Sequence, residues 1–281
     1  MVPLNNLVVV SDLHCGCRLG LCPPEGVALD DGGTYMPSPF QLKLYAMWES
    51  FWREFVPDAT RGEEFGVVVN GDSLDGVHHR STTQFSHNLL DQAKAAYALL
   101  KPVADLCPGR FWMIRGTEAH VGSSATDEEQ LARRLGAVPN AEGQHARWDL
   151  WKQIGDGKLV HLLHHIGATG SQAYEATAVH KELVEEFVEA GRWRRQPPDC
   201  IVRSHRHRHI ETSISTGTDS GETGRAIALV TPAWQGKTPF VWKIPGGRTS
   251  TPQFGGVLIR FAHGRLFADA KVWTVDRSSV E

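Results

Sequence analysis

Histidine recurs at every second position of SHRHRH, the hexapeptide that spans residues 204–209. In an extended chain alternate side chains share a face, so His205, His207 and His209 would lie together on one side. Imidazole nitrogen is a common metal ligand, and the alternation is therefore compatible with a metal site. A solvated strand edge rich in histidine and arginine would have the same sequence. The hexapeptide alone leaves both interpretations open.

Other acids and histidines stand at or close to the carboxyl ends of predicted strands. In chain order they are Asp12 and His14 at NLVVVSD (6–12), Asp72 and Asp75 at FGVVVNGD (65–72), His120 after GRFWMIRG (109–116), His164 and His165 in KLVHLLHH (158–165), and His205 and His207 at DCIVRSH (199–205). The carboxyl edge of an open α/β sheet is where ligands bind. Five strands thus direct polar groups to one place, which favours the metal site.

The donor types indicate which ions would bind. Carboxylate oxygen and imidazole nitrogen suit borderline divalent ions such as Mn, Fe, Zn, Ni or Co. Six or more ligands exceed what one ion with open positions needs. Two ions that share a carboxylate would use them all, as in two-metal hydrolytic centres.

Valine-rich strands and amphipathic helices alternate along the chain and would position these residues. The strand runs are typical of a sheet that is covered on both faces. We predict four helices: one that begins at Ser38–Pro39, one over 88–106, one with a capping box of Thr126 and Glu129, and one over 172–191 that ends at Gly191. From about Ala226 short β-rich runs predict an antiparallel set that closes a second sheet.

The 281 residues carry a formal net charge of -3 and include 14 histidines and five cysteines. This charge argues against binding of nucleic acid or anionic membrane by net charge, although a local groove can still be basic. The N-terminal sequence lacks the features of a signal peptide, and no apolar run approaches the roughly 20 residues of a membrane span. We therefore expect a cytoplasmic protein with no membrane segment. We predict a single domain over 1–281 with loop insertions at about 15–39 and 121–157.

The motifs SDLH, NGDSLDG, LHH and SHRH, in this order, resemble those of the calcineurin-like metallophosphoesterase superfamily. The resemblance implies an α/β fold, a four-layer α/β/β/α sandwich of two mixed sheets flanked by helices. It also implies two divalent ions, with manganese favoured. Its ligand set, carried to this sequence, is Asp12, His14 and His207 for one ion, Asp72 as the bridge, and His164 and His205 for the other. His165 is the alternative to His164.

The family pattern has a further motif between NGDSLDG and LHH, which makes it the third of five in chain order. This third motif departs from the family pattern, because RGTEAH stands where R/x-G-N-H-E is expected. This GTxxH form resembles phage-encoded members. Thr117 takes the place of the usual asparagine ligand, so the hydroxyl of Thr117, the carboxylate of Glu118 or a water molecule would complete the second ion's ligands. The catalytic histidine is displaced to His120.

Two supporting roles follow from the same resemblance. Asp75 would orient the catalytic histidine, or it is simply a turn residue before Gly76. Arg115 would bind the substrate phosphate, or it forms a salt bridge with a neighbouring helix.

The sequence thus predicts a metal-dependent hydrolase of phosphate esters, with phosphodiesters as the first expectation. A nuclease of the same superfamily is an alternative, since GRWRRQPP (191–198) interleaves a tryptophan with arginines and could guide a nucleic-acid strand. The other alternative is a metal-stabilised binding module without turnover. The sequence does not indicate an oligomeric state.

Overall fold

The computed structural model of this chain describes residues 3–78, 81–122, 125–167, 171–217, 221, 223–244 and 247–275. In chain order the strands are β1 (Asn6–Val10), β2 (Val27–Ala28), β3 (Thr34–Tyr35), β4 (Gly66–Asn70), β5 (Phe111–Ile114), β6 (Ala146–Arg147), β7 (Asp149–Ile154), β8 (Lys158–Leu163), β9 (Cys200–Arg203), β10 (Ile210–Gly217), β11 (Thr223–Val230), β12 (Gln253–Ala262) and β13 (Arg265–Thr274). The α-helices are α1 (Pro39–Ser50), α2 (Val56–Thr60), α3 (Leu89–Leu106), α4 (Glu118–Val121), α5 (Thr126–Leu135) and α6 (Glu175–Trp193).

Two mixed sheets contain most of these strands. The first sheet has the order β13-β12-β1-β4-β5-β6, in which β1, β4, β5 and β6 are parallel. The second sheet has the order β10-β11-β9-β8-β7, with a parallel centre and an antiparallel strand at each edge. The short strands β2 and β3 pair with each other.

Alternation along the strands sorts the apolar side chains into layers. In β1, Val8 and Val10 pack under the helices that cover the first sheet, whereas Leu7 and Val9 face the second sheet. On the outer face of the second sheet, Ile201 packs against the α6 residue Leu183. Helices, sheet, sheet and helix thus form four layers, and the predicted α/β/β/α sandwich is confirmed.

The C-terminal strands differ from the prediction that they close the second sheet. Only β11 joins that sheet, where it runs parallel to β9. β12 and β13 instead extend the first sheet, because β12 pairs antiparallel with β1. The pattern of short apolar runs identified the strands, but it carries no information on which of two sheets each strand joins.

Two helix ends also differ from the prediction. α1 begins as expected with a capping box, in which Ser38 and Gln41 bond reciprocally. α5 has Ala125 at its N-cap, so Thr126 lies inside the first turn and makes no capping box. α6 continues past Gly191 and ends at Trp193, where Arg194 takes the left-handed conformation that terminates the helix.

The segment 121–157 is more than a loop. It contains α5 and the edge strands β6 and β7, so it contributes to both sheets. No helix in the described ranges is long and apolar enough to cross a membrane.

Candidate metal centre

The loops that follow β1 and β4 lie side by side because their backbones are hydrogen-bonded. The N–H of Asp12 donates to the carbonyl of Gly71 at 3.0 Å, and the N–H of His14 donates to the carbonyl of Asp72 at 3.0 Å. These strands are parallel neighbours, so the loops leave the sheet at the same edge. The two predicted carboxylate ligands, Asp12 and Asp72, are therefore fixed next to each other by main-chain contacts.

Five predicted ligands have a left-handed backbone. The φ angles are 54° at Asp12, 46° at His14, 50° at Asp72, 69° at His205 and 55° at His207. This region is uncommon for residues other than glycine, and such conformations cluster at functional sites, where the surrounding structure must enforce them. The sharp turns bring successive side chains toward one point at the end of each strand.

The hexapeptide 204–209 shows why this matters. Its residues are not a strand, so the expected shared face of His205, His207 and His209 is wrong. Left-handed turns at the first two histidines, not extended alternation, direct them to the centre. His209 lies elsewhere, with its Nδ1 at 3.2 Å from the carbonyl oxygen of Val230.

Glycine is required where the third motif meets the bridging aspartate. A Cβ atom on Gly116 would lie 2.0 Å from Asp72 Oδ1 and 2.4 Å from its backbone nitrogen. Gly71 has a φ of 85°, and a Cβ there would lie 2.4 Å from the ring of His164. Both glycines thus permit the close approach that places Asp72.

The predicted ligand side chains converge in overlapping groups that could each hold an ion. Within each group the candidate ligand atoms lie within 4.8 Å of one another, and the four groups are Asp12, Asp72, His164 and His205; Asp12, His14 and His207; His14, Asp72 and His120; and Asp75, His78 and His120. Asp12 and Asp72 each belong to two groups. His14 and His120 also each belong to two groups, and the structure thus brings together all six residues predicted as ligands.

Several buried polar atoms in these groups fit the binding of a cation. Asp12 Oδ1 and His164 Nε2 are buried and have no hydrogen-bond partner of good geometry among the described residues. His14 Nε2 and His207 Nε2 point at each other across 3.2 Å. A buried polar atom without a partner is costly. The donor set of carboxylate oxygens and imidazole nitrogens suits a borderline divalent ion, so these residues fit metal binding.

The charges of the carboxylates and histidines are strongly linked. Burial alone would raise the pKa of Asp72, but the neighbouring His164 outweighs it and holds that pKa well below its usual range. Burial likewise would lower the pKa of His164, yet the carboxylates of Asp72 and Asp12 raise it to about 10. Asp12 also has a lowered pKa, because His207 and His164 outweigh its burial. The imidazolium of His164 thus partly compensates the buried carboxylates at neutral pH.

His164, not His165, is the histidine of the fourth motif at the centre. Its side chain is buried, and its Nδ1–H donates to the carbonyl of Asn70 at 2.6 Å. This bond leaves Nε2 facing Asp72 Oδ2 at 3.0 Å. His165 is exposed and belongs to none of the four groups found in the described part of the chain.

A chain of buried hydroxyl and amide groups beneath the centre was not predicted. Ser11 donates to Asp12 Oδ2 at 2.6 Å and shares a hydrogen bond with Thr231, which in turn bonds Ser204 at 2.7 Å. Asn70 donates to Ser204 Oγ at 2.6 Å. This series of hydrogen-bonded side chains joins loops of both sheets and fixes the orientation of Asp12. Single serine and threonine residues carry no periodic signal that would have revealed it.

Glu128 is a second feature that sequence reasoning missed. Its carboxylate is 0% exposed and accepts the N–H of Ser73 at 3.0 Å and the N–H of Gly116 at 2.8 Å. Burial raises the pKa of Glu128 to about 7. Ser73 directly follows Asp72, and Gly116 directly precedes Thr117. This carboxylate from α5 therefore links the backbones of the second and third motifs by hydrogen bonds.

The third motif contributes Thr117 and His120. The backbone N–H of Thr117 donates to Asp72 Oδ1 at 2.7 Å, and its hydroxyl lies 3.2 Å from the same oxygen. Glu118 is exposed and is not part of the candidate groups in the described chain. His120 lies beside His14, with ring centroids 4.5 Å apart, and its Nε2 is 3.9 Å from Asp72 Oδ2. Of the two protein candidates for the vacant asparagine position, the contacts favour the Thr117 hydroxyl.

Asp75 orients two histidines in different ways. Its carboxylate lies 3.2 Å from His14 Nδ1 and accepts hydrogen bonds from Gln84 at 2.6 Å and Gln235 at 3.1 Å. The Nδ1–H of His120 donates instead to the backbone carbonyl of Asp75 at 2.6 Å. The contact expected between Asp75 and His120 is thus made by the main chain of Asp75, and its carboxylate supports His14.

Arg115 does not face the centre. Its Nε–H donates to the carbonyl of Ala146 at 2.8 Å, Nη2 lies 3.6 Å from Glu129, and the guanidinium stacks over Trp148. These contacts match the alternative of a salt bridge to a neighbouring helix, because Glu129 belongs to α5. The side chain points to the sheet edge since the residue lies at the end of a strand flanked by β6.

A cleft with a volume of about 640 Å³ opens over the candidate groups. His14, His120, His205 and His207 line its metal side. Residues within 236–244 and 247–252 also line the cleft and are called its wall here, and Arg115 is not among the described lining residues. Among the loop residues 78–80, His78 lines the cleft, and His79 and Arg80 lie outside the described residues.

No protein-family model matches the sequence, and no curated protein sequence matches it. Among solved structures, Vacuolar Protein Sorting 29 from Cryptosporidium parvum is similar at 12% identity and a TM-score of 0.36, covering 97% of this chain and 100% of that chain. A metallophosphoesterase from Sphaerobacter thermophilus is similar at 12% identity and a TM-score of 0.36, covering 97% of this chain and 89% of that chain. At these values the likenesses transfer no activity, ligand or partner. The fold assignment stands on the layers and sheet order described above, which agree with the resemblance to the calcineurin-like metallophosphoesterases.

Proposed function

We propose that this protein is a metal-dependent hydrolase of phosphate esters, with phosphodiesters as its first substrates. The observation that carries the proposal is the sharing of Asp12 and Asp72 between groups of metal-ligand geometry whose members His14, His120, His205 and His207 line an open cleft. Asp12, His14 and His207 would hold one ion, and Asp72, His164 and His205 would hold the other, with Asp72 between them. Bound divalent ions polarise phosphoryl oxygens and lower the pKa of coordinated water.

The protein residues prepare the site for this chemistry. Asp75 and the carbonyl of Asn70 fix the rings of His14 and His164, so that one nitrogen of each ring faces the centre. The main-chain bond of His120 likewise leaves its Nε2 toward the cleft. From there the ring can protonate the leaving oxygen of the ester.

The protonation of His120 depends on what is bound beside it. Burial and the neighbouring His14 lower the pKa of His120 to about 4, so the free ring is neutral at pH 7. A phosphate anion bound nearby favours the protonated ring. In this proposal the ring therefore takes up a proton from solvent when the anionic substrate binds.

The test is hydrolysis of bis-p-nitrophenyl phosphate and p-nitrophenyl phosphate by metal-stripped protein, with Mn, Ni, Zn or Mg restored in turn. We expect metal-dependent turnover, a preference for the diester, and loss of turnover in Asp72→Asn and His120→Ala. Asp91→Asn is the matched control, because Asp91 is equally buried but contacts Asp30 and Ser86, away from the centre. Full turnover in a folded Asp72→Asn variant would contradict the proposal.

A metal-stabilised binding module is the second candidate. It is favoured by the departure at Thr117, which replaces an amide ligand by a hydroxyl that bonds Asp72. This candidate predicts that the stripped protein takes up metal but hydrolyses neither ester. The same experiment therefore separates the two functions.

A further inference from the structure

The wall of the cleft begins at an anchor on the metal-binding loops. The N–H of Trp234 donates to the carbonyl of Asp12 at 3.0 Å, and Gln235 bonds the carboxylate of Asp75. The N–H of Gly236 then donates to the carbonyl of Leu19 at 2.8 Å. The chain that leaves this anchor at Lys237 is therefore held at a fixed position relative to the centre.

The segment Lys237–Lys243, with the sequence KTPFVWK, is basic at both ends and aromatic in the middle. Phe240 lines the cleft and is 53% exposed, and Trp242 beside it is 57% exposed. The ammonium of Lys237 lies over the ring of Trp242, 4.1 Å from the centroid, and donates to the carbonyl of Arg248. The segment thus presents aromatic rings and positive charge together.

The charge of the cleft is opposite to that of the whole chain. The chain has a net charge of -3, whereas the described lining residues include the cations Arg206, Arg208, Lys237 and Lys243 and the single acid Glu175. Glu175 is paired with Arg208 at 2.9 Å. Beyond the metal ligands, the cleft therefore attracts anions.

The cleft is also larger than a phosphate group requires. Its volume of about 640 Å³ falls in the range of pockets that enclose a whole organic ligand, roughly 300–1,000 Å³. Aromatic side chains stack on bases, and cations follow a phosphate backbone. A ligand that satisfies the wall and the centre together carries a ring and more than one anionic position.

We propose that the segment Lys237–Lys243 is a subsite for a nucleotide unit that flanks the scissile phosphate. This inference rests on the proposed function for the position of the scissile phosphate. Phe240 stacks on the base, and Lys243 contacts the next phosphate. The unit comes either from a single strand or from a free nucleotide.

The experiment measures the affinity of the metal-loaded protein for three probes. These are inorganic phosphate, thymidine 5′-monophosphate and a fluorescein-labelled ten-nucleotide thymidine strand with phosphorothioate linkages. The variants are Phe240→Leu, which keeps apolar volume but removes the ring, and Lys243→Met, which keeps length but removes the charge. Controls are Phe267→Leu on β13 and Lys101→Met on α3, since both residues are surface residues outside the described lining of the cleft.

We expect Phe240→Leu to raise the Kd for the nucleotide probes about 5- to 150-fold, the range that one stacked base contributes. Lys243→Met should reduce the salt dependence of strand binding by about 0.7 in the slope of log Kd against log salt. Neither variant should alter the Kd for inorganic phosphate by more than about twofold, because inorganic phosphate binds at the metal centre and has no base to contact the segment Lys237–Lys243. The two control variants should bind every probe as the unaltered protein does.

The two sources are separated by comparing the probes. Tighter binding of the strand than of the monophosphate, with a steep salt dependence, identifies a strand as the ligand. Equal affinity identifies a free nucleotide. Nucleotide affinities that stay within about twofold of the unaltered protein in both variants would overturn the subsite, even if esters are hydrolysed. Nucleotide binding that requires Phe240, without turnover of any ester, would retain the subsite and contradict the proposed hydrolase.

Discussion

Replacing Glu128 by glutamine should weaken both the fold and the metal centre. The carboxylate of Glu128 accepts one backbone N–H from each of two metal-site loops, at 3.0 Å from Ser73 and 2.8 Å from Gly116. Glutamine keeps one acceptor oxygen, but its NH₂ group must face the other N–H. Two buried donors then lack an acceptor, at about 1–3 kcal/mol each. Relaxation of the loops reduces the sum, and we expect a loss of about 2–4 kcal/mol in the free energy of unfolding.

The same change should reach the ions through Asp72. The loops that separate in Glu128→Gln are those that hold Asp72 and donate to its carboxylate from Thr117. If half of the expected loss, about 1–2 kcal/mol, falls on the metal-bound geometry, the Kd for metal rises about 5- to 30-fold. Urea unfolding of the stripped protein measures the first effect. Titration calorimetry of Mn into the stripped protein measures the second.

Glu129→Gln on the same helix is the matched control. Glu129 also accepts two backbone N–H groups, from His145 at 3.0 Å and Ala146 at 2.8 Å, but these belong to the sheet edge and not to the centre. Glu129→Gln should lower stability by a comparable amount and leave the Kd for Mn within about twofold. Equal metal affinities of the two variants would refute the assignment of Glu128 as the residue that positions the metal loops.

Four further predictions concern the centre and its surroundings. Because His164 has a raised pKa of about 10, Mn uptake at pH 7.5 should release about one proton, and the affinity for Mn should rise about tenfold per pH unit below pH 10. Calorimetry in buffers of different ionisation enthalpy measures the proton release. Mn uptake without proton release would contradict the prediction. In the stripped protein the stability from the His164 pair should be present below about pH 6.5 and lost as pH rises through about 10, which urea unfolding across pH measures. Gly116→Ala should raise the Kd for Mn at least about tenfold, because its Cβ would displace Asp72, whereas Gly191→Ala has open space and should not. Arg115→Met should lower stability by about 1 kcal/mol yet leave the Kd for inorganic phosphate unchanged; a tenfold weaker Kd would restore the phosphate-binding role.

The sequence was informative where residue type and strand end coincide. Asp12, Asp72 and His164 stand where buried valine-rich runs stop, and the structure places them together. It was uninformative about Glu128, because a glutamate in the first turn of a helix is ordinary unless tertiary packing is known to bury it. The extended geometry predicted for the hexapeptide 204–209 was wrong, since alternating histidines fit a strand as well as they fit two left-handed turns. The position of Arg115 in the motif predicted a contact to substrate phosphate, but its side chain instead lies beside Glu129, an acid on α5.

The placement of the ligands also predicts how metal and fold depend on each other. Asp12 and Asp72 follow strands of the first sheet, whereas His164, His205 and His207 follow strands of the second. An ion held by residues of both sets joins the two sheets at one edge, and it binds the folded chain only. Such an ion stabilises the fold by about 2.7 kcal/mol at a free concentration of 100 times its Kd. Without it, the buried carboxylates of Asp12 and Asp72 are compensated by protonated His164, so removal of the metal replaces a metal link between the sheets by an ion pair that depends on pH.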